Sequence, residues 1–304
     1  MRVCWSASTS IYYNLALEEW CVDEFNRQGP LLLFYVDGPA LVVGKNQNPW
    51  REAATGWARR TGVPVARRIS GGGTVFHDPG NLNFSLIVPR ADYKKDAVFE
   101  QTIAALRSLG ADVALQDGNS LFIGDKKVSG TAFCFRGQAA MHHGTVLIDA
   151  DLAQLRASMK PALPEIATRA IASRPASVAN ITDFVPTLTI DQIATALAKH
   201  LAGTTTRDPI ERPTDPKFDA LLQRHASWEW CFGYTPTFQW KIESATNTLS
   251  LKVEKGHVVE AINEWCRDRI EPDPQILGCP FDPTHLATHI SDSETAAYLR
   301  NYDF

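Results

Sequence analysis

No stretch of this sequence approaches the roughly 20 consecutive apolar residues of a membrane-spanning helix, and residues 1–10 lack the charged start and apolar run of a secretory signal. A cytoplasmic protein that does not engage a membrane is therefore expected. There is no CxxC pair and no Cys/His ligand spacing for zinc. The six cysteines, Cys4, Cys21, Cys134, Cys231, Cys266 and Cys279, are scattered and read as free thiols. Positive charge is not in excess: 30 Lys and Arg stand against 34 Asp and Glu, a net charge of -4, which argues against a nucleic-acid partner. The usual nucleotide motifs are missing too, since no glycine loop ends in Gly-Lys-Ser/Thr and no GxGxxG opens a helix.

What is present is ordinary globular composition, 44% hydrophobic and 21% charged over 304 residues, enough for a sizeable core and for a large domain with a small appendage. Residues 11–25 place Leu15, Glu18, Glu19 and Val22 at three- and four-residue spacings, which predicts an amphipathic helix. Residues 31–36 and 40–43 read as buried strands joined by a turn at Asp37-Gly38-Pro39. Strands are predicted again at 83–88 and 143–148, and a hairpin over 120–128. Helices are predicted over 97–109, 190–201 and 218–228. Residues 159–186 and 207–216, rich in proline and small residues, read as loops, placed to cover a site. Alternation returns at 249–253 and 257–259. The expectation is an α+β (mixed α/β) fold, with one domain over 1–238 and a small α+β domain over 239–304.

Two stretches carry chemistry. Gly71-Gly72-Gly73, preceded by Arg67 and Arg68, either makes a tight hairpin or lets bare amides and forked cations approach an anion such as phosphate. In Gly124-Asp-Lys-Lys-Val-Ser-Gly-Thr-Ala132 an extended backbone puts Lys126 and Lys127 on opposite faces, so one of them can turn inward. Exposed hairpin lysines are common, and the spacing alone does not choose between the two readings. The adjacent His142 and His143 point apart on a strand, which does not suit a zinc site.

Taken in order, these blocks resemble the lipoate protein ligase family of the biotin/lipoate protein ligase superfamily. The resemblance rests on Arg67-Arg-Ile-Ser-Gly-Gly-Gly-Thr-Val-Phe-His-Asp78 with Gly80-Asn81. It is joined by Asn46-Gln-Asn-Pro-Trp50, Lys127-Val-Ser-Gly-Thr-Ala132, His142-His-Gly-Thr-Val-Leu147, Trp228-Glu-Trp230, Phe232-Gly and Pro236. It implies a catalytic domain with a mixed β-sheet and flanking helices, plus a small C-terminal domain. It also implies ligation of free lipoate, activated by ATP with Mg2+ as lipoyl-AMP, to a lysine of an acceptor protein. By resemblance Lys127 contacts both lipoate and nucleotide. Arg68, Gly73, Thr74, Val75, Phe76 and Asn119 match nucleotide positions, and Ser70, Gly71, His77, His143 and Leu17 match the lipoate site, with Leu15 and Val43 as further lining. No metal ligand is assigned. The implied partners are lipoyl domains of 2-oxoacid dehydrogenase complexes and the glycine-cleavage H protein, served by a monomer.

One departure stands out. Where many members of that family show Asn-Asp before the strand leading to the lysine, this chain has Asn119-Ser120, which removes a carboxylate that helps hold metal or orient Lys127. That keeps a rival open, a lipoyltransferase that takes preformed lipoyl-AMP. A cysteine-dependent octanoyl or lipoyl transferase is a second rival, with Cys134 as its candidate nucleophile, and a non-catalytic lipoate-binding protein a third.

Overall fold

The computed structural model describes residues 1–160, 163, 165–243, 247–265, 269–272, 275–282, 286–290 and 296–297. In chain order, β1 (Arg2–Trp5) leads to α1 (Ile11–Asp23), α2 (Phe25–Gln28), β2 (Leu31–Tyr35) and β3 (Ala40–Val43). Next come α3 (Pro49–Glu52), α4 (Thr55–Thr61), β4 (Val65–Arg67), β5 (Val75–His77), β6 (Asn81–Pro89) and α5 (Lys95–Arg107). Four strands follow, β7 (Ala114–Gln116), β8 (Ser120–Ile123), β9 (Lys126–Arg136) and β10 (Ala139–Leu147). After α6 (Leu152–Ser158), β11 (Ala167–Thr168), α7 (Ile190–Ala202), β12 (Asp208–Pro209) and α8 (Pro216–Ala226) comes a π-helical turn, Glu229–Gly233. The last strands are β13 (Phe238–Glu243), β14 (Asn247–Glu254), β15 (His257–Trp265) and β16 (Arg269–Pro272).

The strands form three sheets: eight strands in the order β12-β1-β2-β6-β10-β9-β8-β7, three in the order β4-β3-β5, and five in the order β11-β13-β14-β15-β16. The large sheet is mixed. β12, β1 and β2 run parallel, and from β2 onward every neighbour is antiparallel. β2 has no polar alternation because both its faces are covered: Leu32 and Phe34 meet the α5 and α7 side, while Leu31, Leu33 and Tyr35 meet α1 and α8. The expected turn between β2 and β3 separates strands of different sheets, since β3 is the centre of the small one.

The expectation of an amphipathic first helix is corrected. Ten residues of α1 are buried, because one side packs on the large sheet through Ala16, Leu17 and Trp20 and another meets the small sheet through Ile11 and Leu15. A helix covered on nearly every side is apolar all round. Two of its three acidic residues, Glu18 and Glu19, are buried with it, and each needs partners, while Asp23 at its end is exposed. Glu19 receives the His225 Nε2 at 2.8 Å, the Arg136 Nη1 at 2.7 Å and the Arg224 Nη2, which ties α1 to α8 and to the tip of β9.

The five-stranded sheet draws β11 from well before residue 238, and its core mixes Trp50, Leu163 and Ile166 with Phe238, Trp240 and Phe281. Asn48 caps α3 by accepting from the Trp50 and Arg51 amides, with Pro49 in the first turn, so the short helix aims Trp50 into that core. No helix of the described residues is long and apolar enough to cross a membrane. Cys4, Cys21, Cys134, Cys231 and Cys279 are free, and Cys266 lies outside the described residues.

The Glu19 cluster makes acid stability testable. Burial pushes this carboxyl up, but the hydrogen bonds from His225 and Arg136 and the nearby positive charges outweigh it and hold the pKa at about 2, below the ordinary 4.5. A depressed carboxylate contributes stability that is complete above its unfolded value and is lost as pH falls through the folded value. Glu19→Gln should cost about 3 kcal/mol in urea unfolding at pH 7, the scale for breaking a buried charge pair. The same variant should lose less stability than the parent between pH 4.5 and about 2.

Candidate active site

A cavity of about 370 Å³ opens where the large and small sheets meet, walled by the glycine loop, β8, β9, β10 and residues 171–176. The loop between β4 and β5 owes its shape to Arg68. That guanidinium is buried and donates to the carbonyls of Gly71 (2.7 Å), Gly73 (2.7 Å) and Val42 (3.1 Å) and to the Ser70 hydroxyl (3.0 Å). Because the carbonyls turn inward to the cation, the amides of Gly71, Gly72 and Gly73 keep no hydrogen-bond partner among the described residues. Gly72 has φ +90°, and a Cβ there would come within 2.9 Å of the Arg68 Nη2, so the curl requires glycine.

Arg67, next in the chain, points the other way and takes no part in the cavity. It is fully buried and donates to the carbonyls of Gly44, Lys45, Gln47, Trp230 and Cys231 and to the Thr235 hydroxyl. The reading of both arginines as anion ligands is thus corrected: strand alternation sends them to opposite faces, and Arg67 clamps the 44–47 turn to the Trp228–Thr235 segment. Burial brings the pKa of each guanidinium down to about 10, opposed at Arg68 by the charge of Glu18.

Lys126 and Lys127 divide as the alternation predicts. Lys126 is on the outside with Asp125 and Ser177, while Lys127 enters the cavity. The Lys127 side chain lies across its own strand, over Gly130, where a Cβ would sit 3.1 Å from both Cε and Nζ. Its ammonium has no hydrogen bond or ion pair among the described residues. Burial lowers its pKa from 10.5, the charge of Asp117 opposes this, and Arg68 adds to it. Asp117, three residues before Ser120, is the carboxylate on the cavity wall among the described residues. It thus faces the same space as Lys127 although position 120 carries none. Its backbone is left-handed, φ +53°, beside Gly118, which places it by a tight hairpin that sequence spacing did not show.

Opposite Lys127 a chain of polar groups runs inward. The Ser70 Oγ lies 2.6 Å from the His143 Nε2, and the His143 Nδ1 lies 3.0 Å from the Glu18 carboxylate. Glu18 also accepts from Tyr35 at 3.0 Å and from Ser85. Burial pushes its pKa up, but His143, Ser85 and Tyr35 together hold it below the ordinary carboxylate range. His77 is fixed in the same manner, its Nδ1 2.8 Å from Asp37. His142 faces the other way, into a cage of Phe99, Phe133 and Tyr93, where burial brings its pKa down to about 3.

Of the residues matched to nucleotide, Arg68, Gly73, Thr74, Val75, Asn119 and Lys127 line the cavity. Phe76 does not, because alternation along β5 turns it into the core with Leu41, Val43 and Trp57. Of those matched to lipoate, Lys127, His77 and His143 line it, whereas Ser70 and Gly71 lie behind the wall, engaged by Arg68. Leu17 packs with Leu31 and Leu33 against the large sheet, and Leu15 takes the wall position; likewise Val42 lines the cavity and Val43 does not.

The profile of the lipoyl protein ligase A/B catalytic domain matches residues 10–202. The chain belongs to this lipoyl protein ligase family. A curated relative, lipoate-protein ligase A of Psychrobacter cryohalolentis, is 34% identical over 278 residues, 86% of this chain and 82% of the relative. A crystal structure of lipoate-protein ligase A bound with ATP superposes with a TM-score of 0.63 at 27% identity, covering 77% of this chain and 98% of that one. The structure of P. falciparum LipL1 in complex with lipoate shares the fold, with a TM-score of 0.69 at 21% identity over 99% of this chain and 98% of that one. In this lipoyl ligase the expected mixed sheet with flanking helices is the fold observed.

The role of Arg68 is measurable without any substrate. Arg68→Lys keeps a positive charge but supplies a single ammonium where the guanidinium reached four acceptors. Amide exchange of Thr74, the N–H in this loop that is hydrogen-bonded, to the Ser173 hydroxyl, should quicken by about tenfold, the effect of losing about 1.4 kcal/mol of local stability. Unchanged exchange would mean that something other than Arg68 holds the curl.

Proposed function

We propose that the protein ligates free lipoate to a lysine of lipoyl-domain proteins through lipoyl-AMP. The observation that carries this reading is the unpaired, half-buried ammonium of Lys127, set in one cavity with bare glycine amides and Arg68. A carboxylate does not react with an amine until it gains a leaving group. In the proposed sequence a lipoate oxygen attacks the α-phosphorus of ATP and pyrophosphate departs, leaving an acyl–phosphate anhydride. The acceptor lysine then attacks the acyl carbon, and AMP leaves.

Lys127 serves both halves. As a compact charge it draws the lipoate carboxylate and the α-phosphate together and stabilises negative charge that grows on phosphorus, and the amides of Gly72 and Gly73 on the cavity wall do so without reorganising. The lipoyl chain fits the side of the cavity lined by Leu15, Val42 and Tyr35, at about 0.8 kcal/mol for each methylene taken from water. Asp117 on the wall is the carboxylate that would help hold a magnesium ion carried on the triphosphate, where the ion would offset charge and need few protein ligands. The expected acceptors are lipoyl domains of 2-oxoacid dehydrogenase complexes and the glycine-cleavage H protein.

The cysteine-dependent alternative lacks support. Among the described residues no cysteine lines the cavity, and burial raises the thiols of Cys4, Cys21, Cys134 and Cys231 above their ordinary range, away from the reactive thiolate. The transferase that takes preformed lipoyl-AMP differs only in the first half-reaction, so the test is made there.

With ATP, magnesium and lipoate but no acceptor, the protein should release pyrophosphate, and an added apo lipoyl domain should gain the mass of one lipoyl group. Lys127→Ala should slow pyrophosphate release by about 100-fold or more, the scale for removing one preorganised charge contact. Because burial lowers the Lys127 pKa, its cation is lost at lower pH than a free lysine's 10.5, and pyrophosphate release should decline with rising pH before that value. Adenylation undiminished in Lys127→Ala would refute the assignment.

A further inference from the structure

Residues 171–176 cross the cavity without regular structure and with little apolar burial, so polar contacts at two ends hold them. One end is tied to the peptide unit of Lys127, whose N–H donates to the Ser177 carbonyl at 2.8 Å and whose carbonyl accepts from Ala179 at 3.1 Å. The other end is tied to the Asn46–Glu52 segment, where two buried side chains converge. Glu52 accepts at one oxygen from the Arg51 Nε (2.9 Å) and Nη2 (2.8 Å), and at the other from the Ser173 amide (2.7 Å) and the Gln47 Nε2 (3.1 Å). Gln47 also donates to the Ser173 hydroxyl at 2.9 Å and accepts from the Thr74 hydroxyl at 2.9 Å and the Gly44 amide at 2.9 Å. The Thr74 amide in turn donates to the Ser173 hydroxyl at 3.1 Å.

We infer that Glu52 and Gln47 form a latch that holds residues 171–176 closed over the cavity and keeps the acyl adenylate from water until the acceptor arrives. Glu52 touches no reacting atom; it is a positioning residue that acts through Ser173. The inference rests on the adenylating function proposed above. Its chemistry concerns the intermediate: an open strap admits water to the acyl carbon, the acyl–phosphate bond breaks, and lipoate and AMP leave without modifying an acceptor. The latch joins the glycine loop, through Thr74, and the catalytic lysine, through its backbone, to the same strap, so all three close as a unit.

Glu52→Gln is the sharp test, because each carboxylate oxygen takes two N–H donors and an amide group at either position faces two donors with none of its own lone pairs. With ATP, magnesium and lipoate but no acceptor, the pyrophosphate burst should match the parent while AMP release rises about tenfold, the effect expected of weakened hydrogen bonds to a charged group. Trypsin should cut the Arg169–Ala170 bond faster in the variant, with the melting temperature within a few degrees of the parent. AMP leakage equal to the parent's in a folded variant would overturn the latch, as would loss of burst and melting temperature together. Absence of any pyrophosphate from the parent protein would instead count against the ligase reading, and the trypsin rates would still decide the latch: equal cutting would overturn it.

Discussion

Arg68 sits in the interior without an ion pair among the described residues, the Glu18 carboxylate acting on it only from a distance, and the loop around it takes its form from that fact. A buried guanidinium must spend its donors on something, and here the acceptors are backbone carbonyls, two of them from the glycine loop itself. Drawing carbonyls to an inner cation turns the peptide planes so that their N–H groups face outward. The result is a set of bare amides presented without a helix N-terminus and without a lysine in the loop, an arrangement that neither familiar nucleotide motif describes. The ammonium on the same cavity comes from another strand, Lys127 of β9. The loop therefore stays uncharged on its outer face, and the cavity's positive charge is set by Lys127 instead.

Helix α1 shows how the same core serves stability and site together. Neighbouring acids on one helix point about 100° apart. Glu18 accordingly reaches His143 on the cavity side, while Glu19 reaches His225 and the arginines behind. Each acid is buried and each is satisfied, so the helix cannot rotate or slide without exposing one of them unpaired. That fixes Leu15 on the cavity wall and sets the His143 ring at a defined tilt beside Ser70.

Much of this was legible in the sequence where a short-range rule decides it. Strand alternation separated Lys126 from Lys127 and His142 from His143, and the glycine run marked the loop of bare amides. The same alternation, applied to β5, would have moved Phe76 from the nucleotide set into the core. Other features depend on tertiary packing. Whether Leu15 or Leu17 lines the cavity depends on which layer lies on which side of α1, and nothing in a helix buried on nearly every side reports that. Arg67 and Arg68 are indistinguishable by composition, and only the arrival of Trp228–Thr235 from far along the chain makes one of them a clamp. Asp117 escaped notice because its position comes from a left-handed hairpin residue, whereas the sequence comparison looked at position 120.

The Asn46–Trp50 block illustrates why a motif can be dense without holding a ligand. Gln47 serves the glycine loop and the strap, Asn48 caps α3, Pro49 starts it, and Trp50 anchors in the core beneath the five-stranded sheet. Glu52 closes the set from the last turn of the same short helix. A displacement at Trp50 is thus carried by one rigid turn to Gln47 and Glu52, and through them to the strap over the cavity. Since Phe238 and Phe281 pack on Trp50, the five-stranded sheet and the strap are mechanically connected, and a shift of that sheet against the cavity would pull on the strap directly.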